Sequence, residues 1–362
     1  MHSTNKKFSI KDFKKIYLMI PANVSTGGPE ALHQLGNILK NDFKKDIQIF
    51  YIPNNHNNPV HSNYKKYNLE FTNEIYDDPE NLLIIPEYFN YLIEALKFNK
   101  ISKAIWWLSI DNYIGSRFRF TNNKFLRSFY KIPFNLVEIF NRLTNFFFGI
   151  LTIEDYLKFI YKFKNINTHD EIRQASYHFT QSDYAYNFIK NKFSYVENLS
   201  DFIRKDLFNN LKFSINNKEN IICYNPKKSN KFMDFLMRNS NFKFIPLINL
   251  TNEGIIDALK KSKIYMDIGS HPGKDRLPRE AALLGNCIIT NKKGSAGNPK
   301  DLSIPSEFKF KENFTNLDKI NNKIKQIFDD YDNEIEKFKD YLNSISNEEN
   351  NFKNQIRNIF SQ

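Results

Sequence analysis

Short apolar runs alternate with helical patterns along most of this chain. In the first half, apolar residues recur at helical spacing over 32–39 and 88–98. The apolar runs around them, each short enough for a buried strand, are residues 16–20, 47–51, 82–85 and 104–108. Because buried strands that alternate with helices belong to parallel sheets covered on both faces, the first half is predicted to be an α/β unit.

The second half repeats this order with shorter connections. Helical patterns lie at 231–238, 253–261 and 277–284. The apolar runs predicted as strands before, between and after them are residues 220–224, 242–245, 264–268 and 287–290. This βαβαβαβ order predicts a second, doubly wound parallel sheet.

The length of 362 residues suits two domains of about 100–200 residues each. We expect a Rossmann-like domain over 1–200, a second one over 201–312, and C-terminal helices over 313–362. Within the last segment, apolar residues at helical spacing predict one or two helices over 317–342. Residues 343–362 are polar and are expected to fray.

A region of different composition, 117–165, is predicted to be a helical insertion in the first domain. It is dense in Phe, Tyr, Lys and Arg, and its first part, residues 117–142, carries a single acidic residue, Glu138. The basic residues of that part are Arg117, Arg119, Lys124, Arg127, Lys131 and Arg142. Interleaved apolar and basic residues are typical of a helix on an anionic membrane surface. They also fit an insertion whose aromatic residues fill a core, and both interpretations stay open.

The charge balance favours an anionic partner. The chain carries 52 Lys and Arg against 40 Asp and Glu, a net charge of +12. Nucleic acid, an anionic membrane or a phosphate-bearing substrate would suit this charge, and so would a simply solvated basic surface. The two cysteines, Cys223 and Cys287, lie in apolar runs, so neither a disulfide scaffold nor a zinc site is expected. No secretory leader is visible, and the longest uncharged run, 143–153, is too short to span a bilayer.

The first candidate site is the turn at Gly27 and Gly28, between a predicted strand and a predicted helix. Two glycines let a ligand approach the backbone closely, and the free N–H groups of a helix N-terminus attract phosphate. The pattern is neither GxGxxG nor a Walker loop, so NAD and P-loop functions are disfavoured. An ordinary tight turn is the alternative.

The second candidate site follows the strand 264–268, at the sheet edge where open α/β folds bind ligands. Its polar residues are His271, Lys274, Asp275, Arg276 and Glu280. Such a group offers several donors for phosphate and one acceptor for ribose hydroxyls. Glu280 in the first turns of a helix is also explained by the helix dipole alone.

Two further loops are predicted at the same edge. Lys227 and Lys228 directly follow one strand, and Gly294 and Ser295 follow another. Because the carboxyl ends of parallel strands share one edge, three loops are expected to converge there. In the first domain, Asp111 follows a strand and is either an acceptor-side group or a helix cap.

These motifs resemble GT-B glycosyltransferases of the retaining, glycogen-synthase-like group, which includes capsule and lipopolysaccharide sugar transferases. The resemblance rests on the strand, Gly-Gly and Pro-Glu start and on Arg-Glu-Ala-Ala-Leu-Leu-Gly-Asn-Cys-Ile-Ile-Thr at 279–290. It covers about 15–40 and 190–300. It implies an α/β fold of two facing Rossmann-like domains with a cleft between them, the second holding most of the donor.

The resemblance also implies roles for single residues. The family carries two glutamates separated by seven residues, and Glu280 matches the second, which implies a contact to the nucleotide ribose. Pro272 stands where the first would be, so the sugar contact of the family has no counterpart there. Lys227 and Lys228 stand where the family has its diphosphate-binding basic pair.

The implied activity is transfer of a sugar from a nucleotide sugar to a glycan or lipid-linked acceptor. Such a reaction develops negative charge on the departing diphosphate, which fixed cations and helix N–H groups stabilise. We expect Arg276 and Lys228 in that role, with Asp111 or His271 on the acceptor or sugar side. The remaining predicted donor contacts are Gly27, Gly28, Lys227, Lys274, Asp275, Glu280, Gly294 and Ser295. Protein cations can meet this charge, so no metal and no cofactor are expected.

Two alternatives stay open. One is a sugar-nucleotide epimerase of the same fold. The other is a basic nucleic-acid-binding protein, although no DNA- or RNA-binding module is recognisable and a nucleic acid partner is therefore not expected. We expect a cytoplasmic enzyme, peripheral on the inner face of the membrane if 117–165 binds anionic lipid.

Overall fold

The computed structural model describes residues 8–120, 166–203 and 218–360. The greater part of the predicted insertion, 121–165, lies outside the described residues, so both interpretations of it remain predictions. The described residues form two compact units, which consist of 8–120, 166–202 and 349–360 for the first and of 203 and 218–348 for the second.

The first unit contains a seven-stranded sheet in which all neighbouring strands are parallel. The strands are β1 (Lys15–Pro21), β2 (Asp46–Ile52), β3 (Glu70–Thr72), β4 (Asn81–Pro86), β5 (Ser102–Trp107), β6 (Tyr177–Thr180) and β7 (Val196–Asn198). Their order is β3-β2-β1-β4-β5-β6-β7. The predicted strands correspond to β1, β2, β4 and β5, whereas the short strands β3, β6 and β7 carry no comparable apolar run.

Helices bury the central strand of this sheet, β4, along its whole length. Every residue of β4 is buried, which requires packing on both faces. The helices of this part of the chain are α1 (Gly27–Asn41), α2 (Phe89–Ala95), α3 (Ile110–Phe120), α4 (Asp170–Arg173) and α5 (Asp183–Ile189), with 3-10 turns at Ile10–Asp12, Ser62–Tyr67 and Ile166–Thr168. Leu32, Leu35 and Leu39 of α1 lie in the core with β1 and β2, as their spacing predicts.

The second unit contains a five-stranded parallel sheet. Its strands are β8 (Glu219–Tyr224), β9 (Lys243–Pro246), β10 (Ser262–Asp267), β11 (Cys287–Asn291) and β12 (Lys309–Phe310), in the order β12-β11-β10-β8-β9. The helices that follow are α6 (Lys231–Arg238), α7 (Asn252–Lys261), α8 (Arg276–Leu283), α9 (Leu317–Asp329), α10 (Tyr331–Glu336) and α11 (Lys339–Ser346). Short 3-10 turns lie at Gly294–Gly297, Ser306–Phe308 and Phe314–Asn316. The predicted doubly wound order of this half is confirmed.

The expectation that residues 343–362 fray is wrong for the described part of this segment. After α11, the chain forms α12 (Glu348–Phe360), whose Phe352, Ile356 and Phe360 lie in the core of the first unit. The Phe352 ring stacks on Trp106 at 6.2 Å between centroids. Apolar residues three or four positions apart build a buried helix face even where most other residues are polar.

Strand order fixes where each unit can bind a ligand. In an open parallel sheet, ligands bind outside the carboxyl ends of the two strands between which the order reverses. This switch point lies between β1 and β4 in the first unit and between β8 and β10 in the second. Among the described residues, no helix combines the length and the apolar character needed to cross a bilayer.

Candidate functional site

Three loops of the second unit meet at its switch point, as the sequence predicts. They follow the neighbouring strands β8, β10 and β11 and cover 225–230, 268–275 and 292–297. The first two approach backbone to backbone, with a bridge between Ser229 and Gly269. A Cβ on Gly269 would lie 1.8 Å from the Lys228 carbonyl oxygen, so only glycine fits there. Gly294 likewise has a φ of 52°, which favours glycine.

The centre of this site is a group of charged side chains on the first two loops. The Lys228 ammonium group forms an ion pair with Asp275. The other oxygen of Asp275 lies 2.9 Å from Nδ1 of His271. Nε2 of His271 lies 3.1 Å from the carbonyl oxygen of Asp267. The two loops are therefore joined by a chain of charge-assisted contacts.

The contacts of His271 indicate its protonation state. The Thr290 hydroxyl lies 3.3 Å from Nε2, but its proton goes to the Asp267 carbonyl oxygen at 3.0 Å. A carboxylate and a carbonyl oxygen only accept hydrogen bonds, so with Thr290 in this orientation both ring nitrogens donate and the ring is an imidazolium. Burial alone lowers the pKa of His271, but the charge of Asp267 and the hydrogen bond to Asp275 outweigh it and raise the pKa. With both nitrogens engaged and the side chain 2% exposed, His271 is placed to orient Asp275.

The charges also set the state of Asp275 and Lys228. Burial raises the pKa of Asp275, yet the hydrogen bond from His271 and the charge of Lys228 lower it below its usual value. Burial lowers the pKa of Lys228, but the charges of Asp275 and Asp267 raise it overall. Lys228 is therefore a cation whose position is fixed by Asp275.

Asp267, His271 and Asp275 bring three possible metal ligands within 4.8 Å of one another. A metal ion needs a free lone pair on histidine, whereas both nitrogens of His271 donate. It would also have to displace Lys228 from Asp275. The arrangement of these side chains thus fits protons and the Lys228 ammonium group better than it fits a metal ion.

Arg276 and Glu280 lie beside this group, on the first two turns of α8. Nη2 of Arg276 donates to Glu280 at 2.9 Å. Among the described residues, the buried Nε of Arg276 has no hydrogen-bond partner, and an orphaned buried donor of this kind points to a missing acceptor. Lys274 pairs with Glu348 at 2.8 Å, and the side chain of Lys227 is exposed.

The third loop is held against the second by backbone and hydroxyl contacts. The amide of Ser295 donates to the carbonyl oxygen of His271 at 3.0 Å, and its hydroxyl donates to that of Gly273 at 2.5 Å. Ser295 is buried. Gly294 and Ser295 therefore shape the loop that carries the charged group.

A carboxylate that the sequence does not reveal, Glu312, braces the same loops. It accepts from Asn230 at 2.9 Å and from Asn291 at 2.5 Å, and it pairs with Lys293 at 2.7 Å. Asn291 also donates to the carbonyl oxygen of Gly269. All three loops are thereby tied to one buried carboxylate.

The first unit presents its own polar edge. Gly27 and Gly28 begin α1 directly after the β1 loop. Glu87 follows β4 and accepts from the amide of Leu108 at 3.0 Å. Burial raises its pKa to about 8, against the lowering effect of backbone N–H donors. Asp111 lies in the first turn of α3 and accepts from the Tyr184 hydroxyl at 3.1 Å.

The predicted residues thus fall into two groups. Those of the second unit, which are Lys227, Lys228, His271, Lys274, Asp275, Arg276, Glu280, Gly294 and Ser295, lie on connected loops and the helix that follows. Gly27, Gly28 and Asp111 belong to the first unit. Sequence reasoning missed Asp267 and Glu87, although each is a carboxylate at the end of an apolar run. Glu312 carries no such signal.

Neither a family model nor a curated protein matches this chain, but solved structures match nearly all of it. HepE from Anabaena, solved with UDP-glucose, is 10% identical at a TM-score of 0.56, covering 95% of this chain and 98% of its own. Sucrose-phosphate synthase from Thermosynechococcus elongatus is 10% identical at 0.54, covering 96% and 95%. A glycosyltransferase from Rickettsia africae is 10% identical at 0.52, covering 96% and 94%.

The chain has the GT-B fold. Two doubly wound parallel sheets, matched over almost the whole length of these neighbours, confirm the predicted α/β fold class. The structural match establishes the fold, whereas identity of about one residue in ten leaves the activity to be argued from the site.

Proposed function

We propose that this protein is a glycosyltransferase that moves a sugar from a nucleotide-sugar donor to a growing surface glycan of the capsule or lipopolysaccharide type. The observation that carries the proposal is the grouping of Lys228, Lys274, Arg276 and Glu280 at the switch point of the second unit. Three cations and one carboxylate suit a diphosphate joined to a ribose.

The cations would act on the leaving group. During transfer, the bond between the anomeric carbon and the diphosphate oxygen breaks, and the electron pair stays on the diphosphate. Lys228 is held in place by Asp275, so its charge needs little reorganisation to meet that oxygen. The unpartnered Nε–H of Arg276 is available for a phosphate oxygen.

Glu280 would contact the ribose. In the present structure its carboxylate accepts from Arg276. When Arg276 turns to the diphosphate, Glu280 becomes free to accept a hydrogen bond from a ribose hydroxyl. Lys227, which is exposed, and the amides of Gly27 and Gly28 are further proposed donor contacts.

The acceptor hydroxyl forms the new bond to the anomeric carbon and gives its proton to a carboxylate on the acceptor side. We assign Asp111 to this acceptor side, because it is a carboxyl group at the carboxyl edge of the first sheet. His271 is assigned a positioning role, since both its nitrogens are engaged.

Three finer statements complete the proposal. The cations of the site replace a metal ion, and no cofactor takes part. The enzyme works in the cytoplasm, at the inner face of the membrane, on a glycan or lipid-linked acceptor. A net charge of +12 supports contact with anionic lipid, and flotation with anionic vesicles tests it: a protein that stays with the unbound fraction contradicts the membrane assignment.

Mass spectrometry after incubation with UDP-, GDP- and CMP-sugars and a lipid extract tests the reaction. UDP-sugars are the first donors to try, because HepE was solved with UDP-glucose. Release of nucleotide with transfer of the sugar, unaffected by a chelator, supports the proposal. An isomerised sugar nucleotide without nucleotide release would identify an epimerase. In a thermal-shift assay, a rise in the melting temperature with oligonucleotides alone would favour nucleic-acid binding.

A matched pair of variants tests the site. Arg276→Met removes the proposed diphosphate contact and is expected to weaken nucleoside diphosphate binding about tenfold or more, since a charged hydrogen bond is worth about 1.5–3 kcal/mol. Arg238→Met removes an exposed arginine at the C-terminal end of α6, a helix of the same unit. This variant should leave nucleotide binding unchanged. Equal binding by both variants would contradict the assigned site.

A further inference from the structure

One buried carboxylate, Glu348, collects three donors from different parts of the second unit. Its Oε1 pairs with Nζ of Lys274 at 2.8 Å. Its Oε2 accepts from Nη1 of Arg279 at 2.9 Å and from the amide of Ile203 at 3.3 Å. Glu348 is 7% exposed and Arg279 is 1% exposed. A buried carboxylate with two cationic partners is strongly held.

Arg279 connects Glu348 to the loop that carries the candidate site. Its Nε donates to the carbonyl oxygen of Asp275 at 3.0 Å, and its Nη2 donates to that of Lys274 at 3.3 Å. The backbone at 274 and 275 is therefore fixed through Arg279 by Glu348. Asp275 in turn holds Lys228 and His271.

Glu348 also stands at both described passages of the chain between the two units. The chain leaves the first unit after Phe202 and returns to it after Glu348. Ile203, the first residue beyond Phe202, donates its amide to Glu348. A single side chain thus joins the site loop to both connections.

We propose that Glu348 is a positioning residue that couples ligand binding at the 268–275 loop to the two connections between the units. The coupling rests on the proposed function, because the ligand is taken to be a nucleoside diphosphate. A ligand that orders the loop holds the carbonyl groups of Lys274 and Asp275 in place. Arg279 then holds Glu348 more firmly, and Glu348 shields the Ile203 amide. Coupling is reciprocal. The contacts of Glu348 therefore strengthen ligand binding by the same factor by which the bound ligand favours those contacts.

Hydrogen–deuterium exchange of the unmodified protein tests the coupling first. Exchange is measured without nucleotide, with UDP and with GDP, while calorimetry records whether each nucleotide binds. A nucleotide that binds is expected to slow exchange of the Ile203 amide about fivefold or more. Binding without a change at Ile203 overturns the coupling and leaves the proposed function intact. Absence of binding by both nucleotides counts against the proposed function itself and removes the support for the coupling.

A pair of adjacent glutamate variants tests the role of the charge. In Glu348→Gln, the side-chain amide cannot accept from both cations, so nucleotide affinity should fall about fivefold or more and the protection of Ile203 should disappear. Glu349→Gln removes the next glutamate, whose only described ion pair is with Lys353 at the surface, and should behave like the unmodified protein. Unchanged or tighter nucleotide binding by folded Glu348→Gln, or the same loss in both variants, overturns the proposal. If Glu348→Gln does not fold, the exchange experiment on the unmodified protein still decides.

Discussion

Glu87 offers a sharp test of the electrostatics at the polar edge of the first unit. It directly follows β4, is 4% exposed, and accepts from the amide of Leu108 at 3.0 Å. Burial raises the pKa of this carboxyl group from 4.5 to about 8. At neutral pH the folded protein therefore holds a proton that the unfolded chain releases.

The sign and size of the effect on stability follow from linkage. The folded pKa is above the unfolded value, so the contribution of Glu87 is fully present below pH 4.5 and is lost as the pH rises through about 8. At about 1.4 kcal/mol per pH unit, the loss between pH 5 and pH 9 is about 4 kcal/mol. Glu87→Gln has nearly the same shape and cannot ionise, so it removes this dependence.

The assay is the free energy of unfolding by denaturant at pH 5, 7 and 9. The variant should gain on the unmodified protein steadily with pH, by about 4 kcal/mol in total. Glu94→Gln, at a surface glutamate of the same unit that pairs with Lys97 at 2.6 Å, serves as the control and should show no such gain. Parallel pH profiles for Glu87→Gln and the unmodified protein would refute the reasoning.

Three further predictions concern the second unit. Gly269→Ala should disrupt the site, because its Cβ would lie 1.8 Å from a carbonyl oxygen. Gly254→Ala, with ordinary contacts at 3.5 Å, should instead raise the free energy of unfolding by up to about 1 kcal/mol, because alanine favours the helix α7. Equal melting temperatures of the two variants would contradict this. His271→Gln should cost most stability below pH 6.5 and progressively less as the pH rises through the raised pKa of His271; a cost independent of pH in denaturant titrations would argue against an imidazolium. Lys218→Met should cost about 2 kcal/mol of unfolding free energy, because Nζ donates to the carbonyl oxygens of Leu259, Ser262 and Leu284. Lys243→Met, at an exposed position of β9, should cost little in the same titrations.

The short strands and the final helix mark the limit of pattern reading in this chain. β6 and β7 have four and three residues, too few for alternation or an apolar run to stand out. The helix α12 was not predicted because of its many asparagines and glutamates, although Phe352, Ile356 and Phe360 are spaced to lie on one face of a helix. β6 and β7 become ordered by pairing within the sheet of the first unit, and α12 by packing in its core, since isolated short helices and strands are marginal in water.

The site shows the same division in its side chains. The sequence places Lys228, Asp275 and Arg276 after neighbouring strands, and parallel strands bring all their carboxyl ends to one edge. The sequence does not show which of these side chains pair, because Lys228 and Asp275 are neighbours only through the contact between two loops. The protons on the two nitrogens of His271 likewise depend on acceptors that no spacing rule reveals.

The sequence by itself determined the alternation of buried strands and helices, the two doubly wound sheets and the edge at which polar loops gather. These features follow from local periodicity and from the geometry of parallel strands, which need no knowledge of distant contacts. Tertiary structure alone decided that Glu312 braces three loops and that Glu348 meets Arg279, 69 residues away. The residue type shows that a side chain can carry a charge. Burial, and the partners that packing brings within hydrogen-bond distance, decide its protonation state and the contacts it makes.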